Sequence, residues 1–412
     1  MINDRGKNYT KKAITGALLL FLCCLCVACG GQKEKVTLSI WASEAKRDMM
    51  DKFMKDFVEI HKDEADIEYK ISKEEEDTCR ETLMANPEGA PDIFAFADDQ
   101  LDDLKELGVL HVFKKDAAKA LEPFGGENSV AYESVVRERK LYAYPETGNG
   151  YFLYYNKKFF GDEDIKSLER LVQIAGDSNK KVTMDLGSGW YLYSFFKGAG
   201  LELKLDDTAQ KNICNWNATT GVTHTGLSVA KALSGICAKR GFVSLSDDDF
   251  VEGVKDGSVV AGINGAWNAD NIKKAWGDDY GAAKLPTFEV DGQPVQMASF
   301  MGYKVLGVGA NTKYPEWAEK FVEYVTSKDN QVVEFETTGE VPANHEVEEL
   351  DSVKDDPAVI ALSKQSEFAT LQRVAAPFWD ASGKFGASIA SGNPDKQDLQ
   401  HLLDDMVKGI TG

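Results

Sequence analysis

The sequence predicts an α/β fold arranged as two doubly wound lobes, and three observations predict it. Strand-like and helix-like periodicities alternate from Val36 to Ala97 and resume beyond Tyr151. The chain, at 412 residues, is longer than a single hydrophobic core normally serves. Between the two alternating blocks lies Tyr142–Lys157 (YAYPETGNGYFLYYNK): an apolar run closed by Pro145, then Gly148-Asn149-Gly150, then the aromatic run Tyr151–Tyr155. Aromatics bounded by Gly and Pro read as a strand entered from a turn, with glycines able to absorb backbone rotation. The stretch therefore reads as a crossover between lobes. It also reads as an ordinary strand–loop–strand connection inside one domain.

The amino terminus sets the compartment. Arg5, Lys7, Lys11 and Lys12 precede the apolar run Ala13–Ala28, which is shorter than the ~20 residues a membrane span needs and reads as a secretory signal. The formal charge of −20 includes +3 from those four basic residues and Asp4, so the exported part carries −23. A chain so acidic is repelled by nucleic acid and by anionic headgroups, which points to a neutral or cationic ligand. Beyond the signal only Cys79, Cys214 and Cys237 remain, too few for a disulfide framework. A Cys214–Cys237 bridge is one arrangement. Free thiols are the other, with Cys237 on the helical face of Leu227, Ala230 and Leu233.

In chain order, Val36–Trp41 alternates as a strand, and Ser43 is placed to cap a helix carrying Met49/Met50, Phe53/Met54 and Phe57/Val58. Ile67–Ile71 alternates again, a charged helix is expected near 74–84, and Pro91–Ala97 is the third strand. Ligands of such sheets sit beyond the carboxyl ends of strands. The loops after Trp41, Ala97 and Tyr144 are thus the first candidates. In the second block a strand near Val182–Met184 leads through Asp185–Trp190 into a helix, and further helices are expected at 225–239 and 248–255. Val259–Asn264 is a compact strand before Gly265-Ala266-Trp267. Met297–Val308 and Gly339–Asn344 read as second and third crossovers. Pro315 starts a helix bearing Trp317, Phe321, Tyr324 and Val325, and helices near the carboxyl end pack on the second lobe.

Read together, these pieces resemble a known family. Leu25-Cys26-Val27-Ala28-Cys29 resembles a bacterial lipobox, although Cys26 stands where Leu is usual. TLSIW, PDIFAF with Asp98-Asp99, YP…LYYNK, INGAW, LPTF and APFW then recur in an order similar to the extracellular solute-binding proteins of ABC sugar importers, the maltose/maltodextrin-binding branch. The resemblance implies a periplasmic-binding-protein-like fold with three hinge crossovers and no cofactor. It implies a signal peptide over 1–28, Cys29 acylated on the outer face of the membrane, and a tether over 29–35. The first lobe would comprise 36–147 with 303–340, and the second 148–302 with 341–412. A malto-oligosaccharide would lie in the cleft of a monomer read by membrane permease subunits.

Carried over position by position, the resemblance makes Glu44, Asp99 and Asn149 hydroxyl partners, and Phe96, Trp190, Trp267 and Trp379 stacking residues; Asp98, beside Asp99 at the same loop start, joins the candidate set as a further carboxylate. Gln100 stands where the family often has Arg, and Asp380, counted with the ligand-binding candidates, where an aromatic is common. The chemistry suits a sugar. Flat rings cover its C–H face with few torsions frozen, while carboxylates and amides serve the hydroxyl rim. Each residue also has a plainer reading: Phe96 and Trp41 as core, Asp98-Asp99 as helix caps, Asp247–Asp249 as a solvated helix start. No histidine pair at metal-ligand spacing, nucleophile elbow or phosphate-binding loop occurs. A glycosidase, with Asp99 and Glu146 as its carboxyl pair, is the enzymatic alternative, and a sugar-binding adhesin or sensor the third.

Overall fold

The computed structural model describes residues 33–206 and 210–412. The signal segment and Cys29 lie outside the described residues.

The first block forms as the periodicity requires. Strand β1 (Glu34–Ala42) begins two residues earlier than expected and buries Val36, Leu38 and Ile40 on one face. Helix α1 (Arg47–Ile60) buries Met49, Met50, Phe53, Met54 and Phe57 against it. Strand β2 (Ala65–Lys73) lies parallel to β1 along its full length, and β3 (Ile93–Ala97) pairs with β1 at Ile40 and Trp41. Ser43 does not cap α1. The residue preceding the helix is Lys46, whose side chain turns inward and is 2% exposed. The helix expected near 74–84 is confined to Cys79–Ala85.

The expected loop at 147–150 is absent. Residues Ala143–Asn156 form one 14-residue strand, β4. Gly148 and Gly150 are close-packing positions within it: a Cβ at Gly150 would lie 2.7 Å from a Leu362 methyl. Beyond this point β4 is buried on both faces. Tyr151 and Leu153 join one cluster, Phe152 and Tyr154 another, which explains an aromatic run without alternation.

The second block supplies β5 (Lys181–Thr183), α2 (Gly189–Gly198), α3 (Gly226–Cys237), β6 (Phe242–Val243), α4 (Asp247–Lys255), β7 (Val259–Gly265) and β8 (Tyr280–Ala283). Strand β9 (Ser299–Val308) returns, followed by α5 (Pro315–Val325), α6 (Lys328–Thr338), α7 (Pro357–Ser366), β10 (Ala369–Leu371), α8 (Pro377–Ala390) and α9 (Leu399–Thr411). The strand order is β6-β5-β7-β4-β9-β3-β1-β2, with β8 on β4 and β10 on β9. The sequence suggests two sheets, yet one ten-stranded sheet is observed. It is continuous because β4 and β9 each run through both halves, antiparallel to one another from Ala143/Gly307 to Gly150/Met301.

The apolar cores nevertheless divide at this place. One cluster gathers residues from Val36–Tyr144 with Val305–Val325, and another gathers Tyr151–Phe300 with Phe378–Ile410. The carboxyl-terminal helices therefore pack on the second half. The third crossover joins the first through Gly148 N–H to Val341 O at 2.8 Å and Ala343 N–H to Glu146 O at 3.3 Å. The fold is the two-lobe, periplasmic-binding-protein-like α/β arrangement. Cys79, Cys214 and Cys237 are free.

Candidate functional site: the floor between the lobes

Strand β9 strings most of the candidate residues together. From Phe300 to Lys304 it advances about 13 Å, with Phe300, Gly302 and Lys304 sharing a face by the alternation of a strand. At one end, Phe300 stacks on Trp190 (centroids 5.5 Å, 25°) and on Tyr193 (3.7 Å, 16°), and Trp379 lies tilted against it at 6.3 Å. Trp190 and Trp379 are half-buried, so the two rings meet the interior on one side only. Neither lies in a loop. Trp190 is the second residue of α2 and Trp379 the third of α8, each in a first turn that projects its ring from the helix end.

At the middle of this segment, Gly302 faces Asp98. A Cβ at residue 302 would stand 2.2 Å from the Asp98 carboxylate, so only glycine admits it. Asp98 accepts the Tyr303 N–H at 2.7 Å and pairs with Arg373 at 3.0 Å. Gln372 donates to Asp99 at 2.5 Å. The two aspartates therefore do not cap the next helix, which has no side-chain cap. They bridge the end of β3 to the segment after β10 in the other half. Burial raises both acids, Asp99 to about 7 with Asp98 adding to the effect, while Arg373 offsets part of the rise in Asp98. Asn149 lies opposite Gly302 in the β4–β9 register, and its buried Oδ1 has no partner among the described residues; neither has the Trp190 Nε1.

At the far end, Lys304 Nζ lies 3.0 Å from Glu340 and 6.0 Å from the centre of the half-buried Trp267 ring. Trp267 follows β7 and donates its Nε1 to Asp247 at 3.2 Å. Asp247 also accepts from Tyr191 (2.9 Å) and Asn264 (2.8 Å). It is thus a buried-side anchor for the Trp267 ring, whereas the sequence suggests a solvated helix start for it. Burial raises its acid.

Beneath these contacts lies an ionic cluster. Lys46 Nζ sits 3.1 Å from Glu146, 2.7 Å from Glu334 and 3.1 Å from Glu340. Thr147 donates to Glu340 at 2.8 Å. Burial pushes Glu334 up to about 8, with Glu146 adding to it, and burial raises Glu146 as well. Against the effect of burial, Lys304 and Lys46 hold Glu340 well below the usual carboxylate range. Burial opposes the charge of Lys46, yet the surrounding glutamates raise its acid well above the usual lysine value. The sequence did not point to Lys46, Lys304, Glu334, Glu340, Gln372 or Arg373, and it pointed to Asp247 only as a helix start. One signal was legible: a lysine between Tyr303 and Val305-Leu306 in an apolar strand must find a partner.

Three candidates fall elsewhere. Phe96 is fully buried in the first-lobe core beside Phe94, so it offers no ring face to a ligand; its strand position, inside β3 and not beyond it, decides this. Glu44 is exposed and paired with Arg47. Asp380 is 75% exposed and paired with Lys384. Glu146 is 0% exposed, which removes it as a glycosidase acid facing a substrate. A cavity of about 940 Å³ lined by Gln173, Lys239 and Glu289 contains none of the candidate residues. No group of three potential metal ligands occurs among the described residues.

Two lobes meeting over shared strands, with half-buried rings and unpartnered polar atoms along the strand between them, give the architecture of a two-lobe binding protein. Residues 48–361 match the bacterial extracellular solute-binding protein family, and the chain belongs to that family. It is similar to two proteins of Bacillus subtilis (strain 168). The maltodextrin-binding protein MdxE is 27% identical over 381 residues, covering 87% of each chain; the galactooligosaccharide-binding protein is 27% identical over 356 residues, covering 81% of this chain and 78% of the other. Among solved structures, one determined with acarbose superposes with a TM-score of 0.78 at 26% identity, covering 92% of this chain and 99% of that one.

Proposed function

We propose that this protein is the substrate-binding lipoprotein of an ABC importer, anchored through Cys29 outside the cell membrane, and that it captures malto-oligosaccharides between its lobes. The observation that carries the reading is the line along β9. The half-buried Trp190 and Trp379 rings flank Phe300, and Trp267 lies beyond Lys304. The unpartnered Trp190 Nε1 and Asn149 Oδ1 are near the same strand. Such a surface offers ring faces to sugar C–H groups, and beside it Asn149 and Trp190 each hold a buried polar atom still in need of a partner. The half-buried and polar candidates from both lobes, Asp98, Asp99, Asn149, Trp190, Trp267 and Trp379, are the ligand-contacting set, with Glu44 and Asp380 at its margins.

The lobes move as bodies, with boundaries near 147/148, 302/303 and 340/341. Ligand contacts from both sides favour the closed state, since only differential affinity shifts the population. Membrane permease subunits read that state, and the protein acts as a monomer. Thermal shift against malto-, galacto- and xylo-oligosaccharides and peptides tests the reading: malto-oligosaccharides raise the melting temperature. Stabilisation by galacto-oligosaccharides alone transfers the ligand assignment, and stabilisation by none overturns it. Maltodextrin incubated with the protein keeps its length; shortened products would establish a hydrolase.

A further inference from the structure

Two lysines occupy the ionic floor, and their circumstances differ. Lys46 is 2% exposed and has carboxylates within 3.1 Å on three sides, which leaves its ammonium no role beyond the interior. Lys304 is 15% exposed. An ammonium carries three N–H donors. Among the described residues only Glu340, at 3.0 Å, is within hydrogen-bonding reach, because Glu76 at 3.8 Å attracts the charge without a good hydrogen bond. Donor capacity remains, and it remains beside a half-buried ring, since the Trp267 centroid is 6.0 Å away.

The location is equally informative. Lys304 pairs with Ala97 at the carboxyl end of β3 and with Thr147 on β4, while Trp267 follows the carboxyl end of β7 in the other half. The carboxyl ends of strands from both lobes converge on this ammonium, the position at which α/β sheets receive ligands.

We propose that Lys304 is a ligand-contacting, specificity-determining residue, donating to hydroxyl oxygens of the sugar ring that lies against Trp267 while Glu340 and Glu76 hold its ammonium in place. The inference rests on the sugar-binding reading above and deepens it. It assigns a chemical preference to one subsite. Glu340 already balances the charge of Lys304 and Glu76 adds negative field, so a neutral polyol is accepted there and an acidic sugar is opposed. A site built to satisfy a hydroxyl also discriminates against an analogue lacking it.

The test is isothermal titration with maltotetraose, with melting of the unliganded protein followed in parallel. Lys304→Met alone strips Glu340 of a partner, so Lys304→Met/Glu340→Gln removes the ammonium with its counter-charge, and Lys304→Arg keeps the ion pair while relocating the donors. The expected result is a Kd raised roughly 10- to 100-fold in the double variant and raised in Lys304→Arg; Lys304→Arg melts close to the unaltered chain, while the double variant melts lower because Glu340 also pairs with Lys46. Adding Trp267→Ala then costs less affinity in the Lys304→Met/Glu340→Gln background than in the unaltered chain, a coupling that a merely structural lysine would not produce. If both lysine variants bind with the Kd of the unaltered chain, the inference falls while the sugar-binding reading stands. If the unaltered chain itself binds no malto-oligosaccharide, both fall together.

Discussion

Lys46 and Glu146 stand 100 residues apart in the chain, yet their side chains meet at 3.1 Å with 2% and 0% exposure. The pair links the loop after β1 to the first crossover. Glu340 extends the link to the third crossover, and Lys304 to the second.

Removing Lys46 leaves Glu146 and Glu334 buried without their cation. Lys46→Met should therefore destabilise the protein by about 3–5 kcal/mol. Urea denaturation measures this. A Lys46→Met variant as stable as the unaltered chain would show that the cluster contributes nothing to folding.

The same cluster makes stability depend on pH with a definite sign. Glu334 titrates near 8 when folded against 4.5 when unfolded, and Asp99 near 7 against 3.8. Between those values the folded state holds protons that the unfolded state has released. The contribution of these groups is therefore complete below the unfolded values and declines as pH rises toward 7–8. Glu340 has the opposite sign: its contribution is present above 4.5 and is lost as pH falls. Melting temperature should accordingly fall across pH 5 to 8, less steeply in Glu334→Gln. An identical slope in that variant contradicts the assignment.

Phe96 and Trp379 separate core from site. Phe96→Ala should cost about 3–5 kcal/mol of stability, since its ring is wholly enclosed. The affinity of the remaining folded protein for maltodextrin should not change. Trp379→Ala should raise the Kd roughly 10- to 100-fold with a smaller loss of stability. Titration and melting on both variants decide between these outcomes.

Gly302→Ala places a methyl within 2.2 Å of the Asp98 carboxylate. Asp98 must then leave the Tyr303 N–H and Arg373, at a cost of about 1–3 kcal/mol. Chemical denaturation reads the loss, and Gly302→Ala/Asp98→Ala should regain part of it.

Much was determined by local pattern alone. Alternation in Val36–Trp41, the apolar stripe of α1, the buried run before Trp267 and the helix begun at Pro315 are consequences of neighbours a few residues away, and each formed where expected. The aromatic positions Trp190, Trp267 and Trp379 were also legible, because large rings beside glycine or proline near the ends of elements stand out. Tertiary structure decided what depends on distance across the chain. Whether 147–150 is loop or strand was set by pairing with β9, some 150 residues later in the chain. Whether Phe96 faces ligand or core was set by the sheet packed around it. The lysines of the floor became meaningful only when three crossovers brought their glutamates within 3.1 Å, and charge pairing at that range leaves no periodic trace in a sequence.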